Sequence, residues 1–109
     1  MGKDKLRKFK EIGALYNVVE PKTEEARHGF GLKGNWAATH FKNDNGIVLE
    51  LGCGKGEYTV ALGRRNPEKN HIGIDIKGAR LWRGAKTASE DGLENVAFLR
   101  TRIDWREQV

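Results

Sequence analysis

The apolar positions of the chain switch between two periods from Ile47 onward. Ile47-Val-Leu-Glu-Leu51 is a short run, apolar except at Glu50, and it ends on glycines at alternate positions, Gly52, Gly54 and Gly56. A run of that length bounded by glycines predicts a buried strand. Helical spacing follows and predicts a helix over 56–65 with Tyr58, Ala61 and Leu62 facing inward. Asn66-Pro67 stops it, because the residue before a proline is pushed out of helical space. A second strand is predicted over 71–76. A second helix is predicted over 78–91, with Leu81, Trp82, Ala85, Ala88 and Ser89 as its inner stripe and Gly92 as its stop. A third strand covers 96–101, and Asp104 to Val109 reads as the start of a further helix.

Strands alternating with helices predict an α/β fold, with parallel strands in spatial order 3-2-1 joined by right-handed crossovers. This is the N-terminal half of a Rossmann-like arrangement. In a doubly wound sheet the next strand lies on the free side of the first. No residues remain here to supply it, so the first strand is expected to be an exposed apolar edge. The expectation is a chain divided into a basic arm and irregular leader over 1–46 and the first half of a cofactor-binding domain over 47–109. The edge would then be covered by a missing half or by a second copy of the chain.

Before Ile47 the pattern is weaker. Lys3, Lys5, Arg7, Lys8 and Lys10 alternate with Leu6, Phe9, Ile12 and Tyr16 at helical spacing. That predicts a basic amphipathic helix or an arm that orders on binding, read either as a phosphate-contacting element or as a solvated face. Pro21 to Gly46 is irregular and broken by glycines. Within it the stretch from His28 to Trp36, which includes Lys33, is either a substrate-facing flap or a loop pinned to the core. Phe30, Leu32 and Trp36 favour pinning, since large apolar side chains are usually buried. Asn43-Asp-Asn-Gly46 is a turn.

Composition narrows the partners. The 109 residues carry a net charge of +5, which favours an anionic partner such as nucleic acid, against the plain reading of a basic surface. Cys53 is the sole cysteine, which excludes an intrachain disulfide and fits a reducing compartment. No secretion-type apolar stretch and no run near the ~20 residues of a membrane span is present, so the expected setting is cytoplasmic and off the membrane. His28, His40 and His71 lack metal-ligand spacing, and no metal is expected.

The chemistry lies in the glycine turn. A dinucleotide fingerprint needs a glycine where Glu57 stands, and a P-loop needs a hydroxyl residue where Gly56 stands. The carboxylates of Glu50 and Glu57 would repel a pyrophosphate and attract an amine or a sulfonium. S-adenosylmethionine carries both cations and no phosphate, so the turn suits it better than NAD or ATP. Asp75 lies 21 positions after Gly54, at the end of the second strand, where a carboxylate can accept hydrogen bonds from ribose hydroxyls. A cap for the following helix is the other reading of Asp75. Cys53 reads as a small turn residue rather than a nucleophile, because no base is identifiable beside it.

Several stretches together carry a resemblance: Leu32-Lys-Gly-Asn-Trp36, Asn43-Asp-Asn45, Val48-Leu-Glu-Leu-Gly-Cys-Gly-Lys-Gly-Glu-Tyr-Thr59, Ile72-Gly-Ile-Asp-Ile-Lys-Gly-Ala-Arg80 and Asn95-Val-Ala-Phe-Leu-Arg100. The chain resembles the bacterial tRNA (guanine-N7)-methyltransferases over essentially its whole length. The resemblance implies the S-adenosylmethionine-dependent methyltransferase fold and methyl transfer to N7 of a guanosine in the tRNA variable loop. It implies cofactor contacts from Glu50 and Asp75, within a site of Gly52, Cys53, Gly54, Gly56 and Ile76. A third family acid follows the third strand; the matching place here is Arg102, with Asp104 two residues on, so the chain departs from the pattern there. The family's Asp-Pro-rich segment and its active-site acid are expected beyond Val109. An RNA surface is expected from Lys3, Lys5, Arg7, Lys8, Lys10 and Lys33.

N7 of guanine offers an unprotonated lone pair at a base edge and needs no general base. Positioning alone can remove about 7–11 kcal/mol from such a barrier. The 109 residues by themselves are expected to turn over weakly or not at all. The competing reading is a non-catalytic adenosyl-ligand or RNA-binding module completed by a partner chain. A nicotinamide oxidoreductase is disfavoured by the missing glycine at 57.

Overall fold

A computed structural model describes residues 6–8, 10–11, 15–21, 32 and 34–101. It contains a four-stranded parallel sheet. The strands are β1 (Val18–Val19), β2 (Ile47–Leu51), β3 (Asn70–Asp75) and β4 (Val96–Arg100), and the helices between the last three are α1 (Glu57–Arg65) and α2 (Gly78–Glu90). The spatial order is β1-β4-β3-β2. The three strands predicted from the sequence therefore stand in the predicted order. The leader adds a short fourth, with Val18 opposite Phe98 and Val19 opposite Leu99.

Alternation along the strands gives the sheet two apolar faces. Val96 and Phe98 join Val60, Leu81, Trp82, Ala85 and Ala88 under the helices. Ile72, Ile74, Ala97 and Leu99 face the opposite way and pack on Trp36, with Leu32 and Phe41 beside it. All of β3 is buried, as a central parallel strand covered on both faces should be. Trp36 opens a short π-helical turn, Trp36–Phe41, and is itself fully buried. The pinned reading of Leu32 and Trp36 holds; Phe30 lies outside the described residues.

The Asn43–Gly46 turn is tied to the sheet by paired amides. Asn70 Nδ2 donates to Asn43 Oδ1 at 2.8 Å, and Asn43 Nδ2 donates back to Asn70 Oδ1 at 3.0 Å. The Asn70 backbone N–H donates to the Gly46 carbonyl. Asn70 is fully buried, so this exchange satisfies amide groups that burial would otherwise strand.

Some details depart from the predicted pattern. Tyr58 points outward and is 65% exposed; the inner face of α1 is Thr59, Val60 and Gly63. The phase is set by Gly56, which is wedged against the Phe98 ring and leaves the next two positions facing solvent. Ser89 is exposed at the end of the α2 stripe. The second strand begins at Asn70 and ends at Asp75, leaving Ile76 in the solvent-facing turn. Among the described residues β2 is a sheet edge, and its Leu49 and Leu51 are about half exposed (42% and 47%).

Candidate cofactor site

The site is built where β2 and β3 end side by side. Gly52, Gly54 and Gly56 all take positive φ (67°, 58° and 74°), a region that costs any other residue strain. The turn is held to β3 by the Cys53 N–H, which donates to the Ile74 carbonyl at 2.9 Å. It closes on itself through Gly56 N–H to the Cys53 carbonyl, also 2.9 Å. Beyond it α1 begins, with Gly56 as its N-cap.

Asp75 fastens the turn from the neighbouring strand. Its Oδ2 accepts the Gly54 N–H at 2.9 Å, and its Oδ1 accepts the Lys77 N–H at 2.9 Å. One buried carboxylate thus fixes the glycine turn and the entry to α2. Asp75 binds the backbone just ahead of α2, but no side-chain hydrogen bond caps the helix itself, so the cap reading of Asp75 is not met. An ionised carboxylate has about four acceptor positions, so its two backbone bonds leave capacity for a ligand.

Glu50 stands one strand over. Its Oε1 accepts the Thr59 hydroxyl at 3.1 Å, while Oε2 is closed from solvent with no donor. An acceptor buried without a donor is costly, and a ligand carrying N–H groups or positive charge relieves that cost. At Gly54 there is open space where a side chain would begin, so the backbone there can be approached closely. These observations fit a small cationic adenosyl ligand and do not fit a pyrophosphate.

Cys53 lies between the two acids. Burial, then the charges of Asp75 and Glu50, push its thiol up to about 12. It is protonated and unreactive near neutrality, as its reading as a turn residue requires. Iodoacetamide at pH 8 is expected to label it much more slowly than free cysteine, and Asp75→Asn is expected to speed the labelling. Equal rates in both chains would separate Cys53 electrostatically from Asp75. Because the folded state holds this proton more tightly than the unfolded chain, its contribution to stability is complete below about pH 8.5. That contribution falls away as pH rises toward about 12.

Two further glycines create the room for this corner. A side chain on Gly73 would lie 2.9 Å from both Phe98 and Thr59. One on Gly84 would meet the Lys55 carbonyl at 2.8 Å and the Gly56 Cα at 2.9 Å, so α2 rests directly on the turn. Neither glycine, nor Thr59, was identified from the sequence as part of the site. The available signal was a glycine interrupting a strand and another interrupting a helix, which marks close backbone approach. Arg100, likewise unassigned, donates through Nε to the Ile76 carbonyl at 3.2 Å and through Nη1 to Glu20 at 2.8 Å.

The structure therefore brings together Glu50, Gly52, Cys53, Gly54, Gly56 and Asp75, with Ile76 exposed beside them. Arg102, Asp104, Lys3, Lys5 and Lys33 lie outside the described residues. Of the basic arm, Arg7 and Lys8 rest over the Trp82 ring and Lys10 is exposed. Among the described residues no group of three potential metal ligands occurs, and no helix is long and apolar enough to cross a membrane.

Sheet order and glycine turn define a Rossmann-like α/β unit. The chain matches the methyltransferase domain family over residues 42–108 and belongs to that family. Among individual proteins it is similar to the tRNA (guanine-N(7)-)-methyltransferase of Christiangramia forsetii, 64% identical over 108 residues, 98% of this chain and 48% of the relative. The protein of the same name from Bacteroides fragilis is 54% identical over 105 residues, 95% of this chain and 42% of its own. That from Porphyromonas gingivalis is 62% identical over 81 residues, 74% and 33%. The chain spans about half or less of the length of these curated relatives.

Proposed function

We propose that this chain holds S-adenosylmethionine for methyl transfer to N7 of a guanosine in the tRNA variable loop, in a cytoplasmic setting. The observation that carries the cofactor half is the pair of carboxylates, Glu50 and Asp75, on adjacent strand ends around a glycine turn. The donorless Oε2 of Glu50 adds to it. The tRNA half rests on the activity for which relatives 54–64% identical are named.

The corner of Glu50, Gly54 and Asp75 would hold S-adenosylmethionine, which when bound would supply an electrophilic sulfonium methyl for the guanine N7 lone pair. The chain's own residues hold and orient. The open space at Gly54 lets the backbone come close to the ligand, while Gly56 packs on Phe98 and Gly84 and holds the turn in place. Glu50 and Asp75 favour its positive charge, and Cys53 and Ile76 wall the turn. Arg102 occupies the place of the third family acid, and the active-site acid is expected outside these residues. Transfer by the 109 residues alone is accordingly expected to be weak or absent.

Calorimetry separates this reading from its competitors. S-adenosylmethionine and its demethylated thioether product are expected to bind, and NAD is not. Tight NAD binding, or no adenosyl binding at all, would overturn the assignment. Methyl transfer is read by incorporating labelled methyl into tRNA and identifying 7-methylguanosine. A full rate from the 109 residues would place the missing acid among them.

The exposed Leu49 and Leu51 on the β2 edge favour a second reading for partners, in which another strand covers that edge, supplied by a second copy. Light scattering coupled to size exclusion is expected to show a dimer that Leu49→Lys dissociates. A monomer at every concentration would rule the second copy out.

A further inference from the structure

The groove between α1 and α2, with a volume of about 610 Å³, is not used by the cofactor reading. Five basic side chains line it, Lys8, Lys55, Arg64, Arg80 and Arg83, against the single acid Glu57. Arg64 is neutralised by an ion pair with Asp91. Among the described residues no carboxylate pairs with Lys55 or Arg80, and both are exposed. Lys55 belongs to the glycine turn, so the groove opens beside the cofactor corner.

Its floor concentrates positive charge further. Arg7, Lys8 and Arg83 lie 5.5, 4.9 and 5.6 Å from the centre of the Trp82 ring. Cation–aromatic contacts of this kind contribute about 0.5–1 kcal/mol each at exposed sites and more where water is excluded. The indole N–H is already donated to Glu11. The N-terminal turns of α1 and α2 both border the groove, and helix N-termini add partial positive charge. A negatively charged ligand supplies what the groove lacks.

The form of the groove selects among anions. It has room for a few phosphates with their sugars, and not for a duplex. Trp82 is already covered by cations, so it offers no free face to stack a base. We propose that this groove carries the sugar–phosphate backbone of the RNA substrate past the cofactor turn, touching phosphates and reading no bases. The proposal rests on the RNA reading given above. It makes the contact a positioning one, since phosphate contacts set register and carry no sequence information.

The test is salt-dependent binding of an unmodified tRNA transcript to the 109-residue chain, between about 50 and 200 mM salt. Arg80→Gln with Arg83→Gln is expected to reduce the slope of log K against log salt by about two, one for each phosphate contact. Arg80→Lys with Arg83→Lys is expected to retain the parental slope, and far-UV circular dichroism checks that both variants fold. An unrelated transcript of equal length is expected to show the same reduction. An unaltered slope in the glutamine variant would overturn the proposal, and so would a reduction confined to tRNA. Failure of the parent chain to bind any RNA, with retention of polyglutamate, would remove the RNA reading itself and assign the groove to an acidic protein.

Discussion

Asp75→Ala is expected to weaken adenosyl-ligand binding on the order of 100-fold, equivalent to about 2.7 kcal/mol. The size follows from what the carboxylate does without ligand. It accepts the N–H of Gly54 and of Lys77, each at 2.9 Å, and is itself only 6% exposed. Hydrogen bonds to a charged partner contribute about 1.5–3 kcal/mol each, and their loss frees the turn that the ligand must find ordered. Asp75→Asn keeps one acceptor oxygen and sets an amide donor against a donor, so it should lie between the two. Calorimetry with S-adenosylmethionine reads the affinities. Amide exchange at Gly54 and Lys77 reads the turn independently of ligand. Unchanged affinity in the alanine variant would make Asp75 a purely structural tie between Gly54 and Lys77.

Trp36→Ala is expected to lower stability by about 3–5 kcal/mol, read as the shift of the urea midpoint followed by circular dichroism. Trp36 is fully buried and covers Ile72, Ile74, Ala97 and Leu99 on the sheet face away from the helices. Domains of this size are stable by about 5–15 kcal/mol, so that cost is about a fifth of the total or more. Trp36→Phe should recover part of it. A loss below about 1 kcal/mol would mean that the leader lies on the sheet without contributing to it.

The strands from Ile47 onward were legible because each is a short apolar run with glycine or asparagine close by on at least one side. Their order followed from the handedness of parallel crossovers. Three things were not legible. Val18 and Val19 make two residues of strand, too few to show a period, and they pair only because β4 offers them an edge. Tyr58 was misplaced because a helical stripe has several possible phases, and the phase here is set by Gly56 against Phe98, a contact across the fold. Gly73 and Gly84 gave no sign of which backbone they would admit. In the site, the acids and the turn were readable from composition at fixed spacing. The bond from Asp75 to Gly54 depends on β2 and β3 ending together, which register determines and spacing only suggests.

The ion pair between Glu20 and Arg100 joins residues 80 positions apart, alongside the pairing of Val18 with Phe98. On the ribosome, the first strand to leave the exit tunnel must therefore wait until its neighbour has emerged. Until β4 emerges the nascent leader has no strand to pair with, and its valines and Trp36 are open to chaperones. Folding of this unit can be completed only after the codons for β4 have been read.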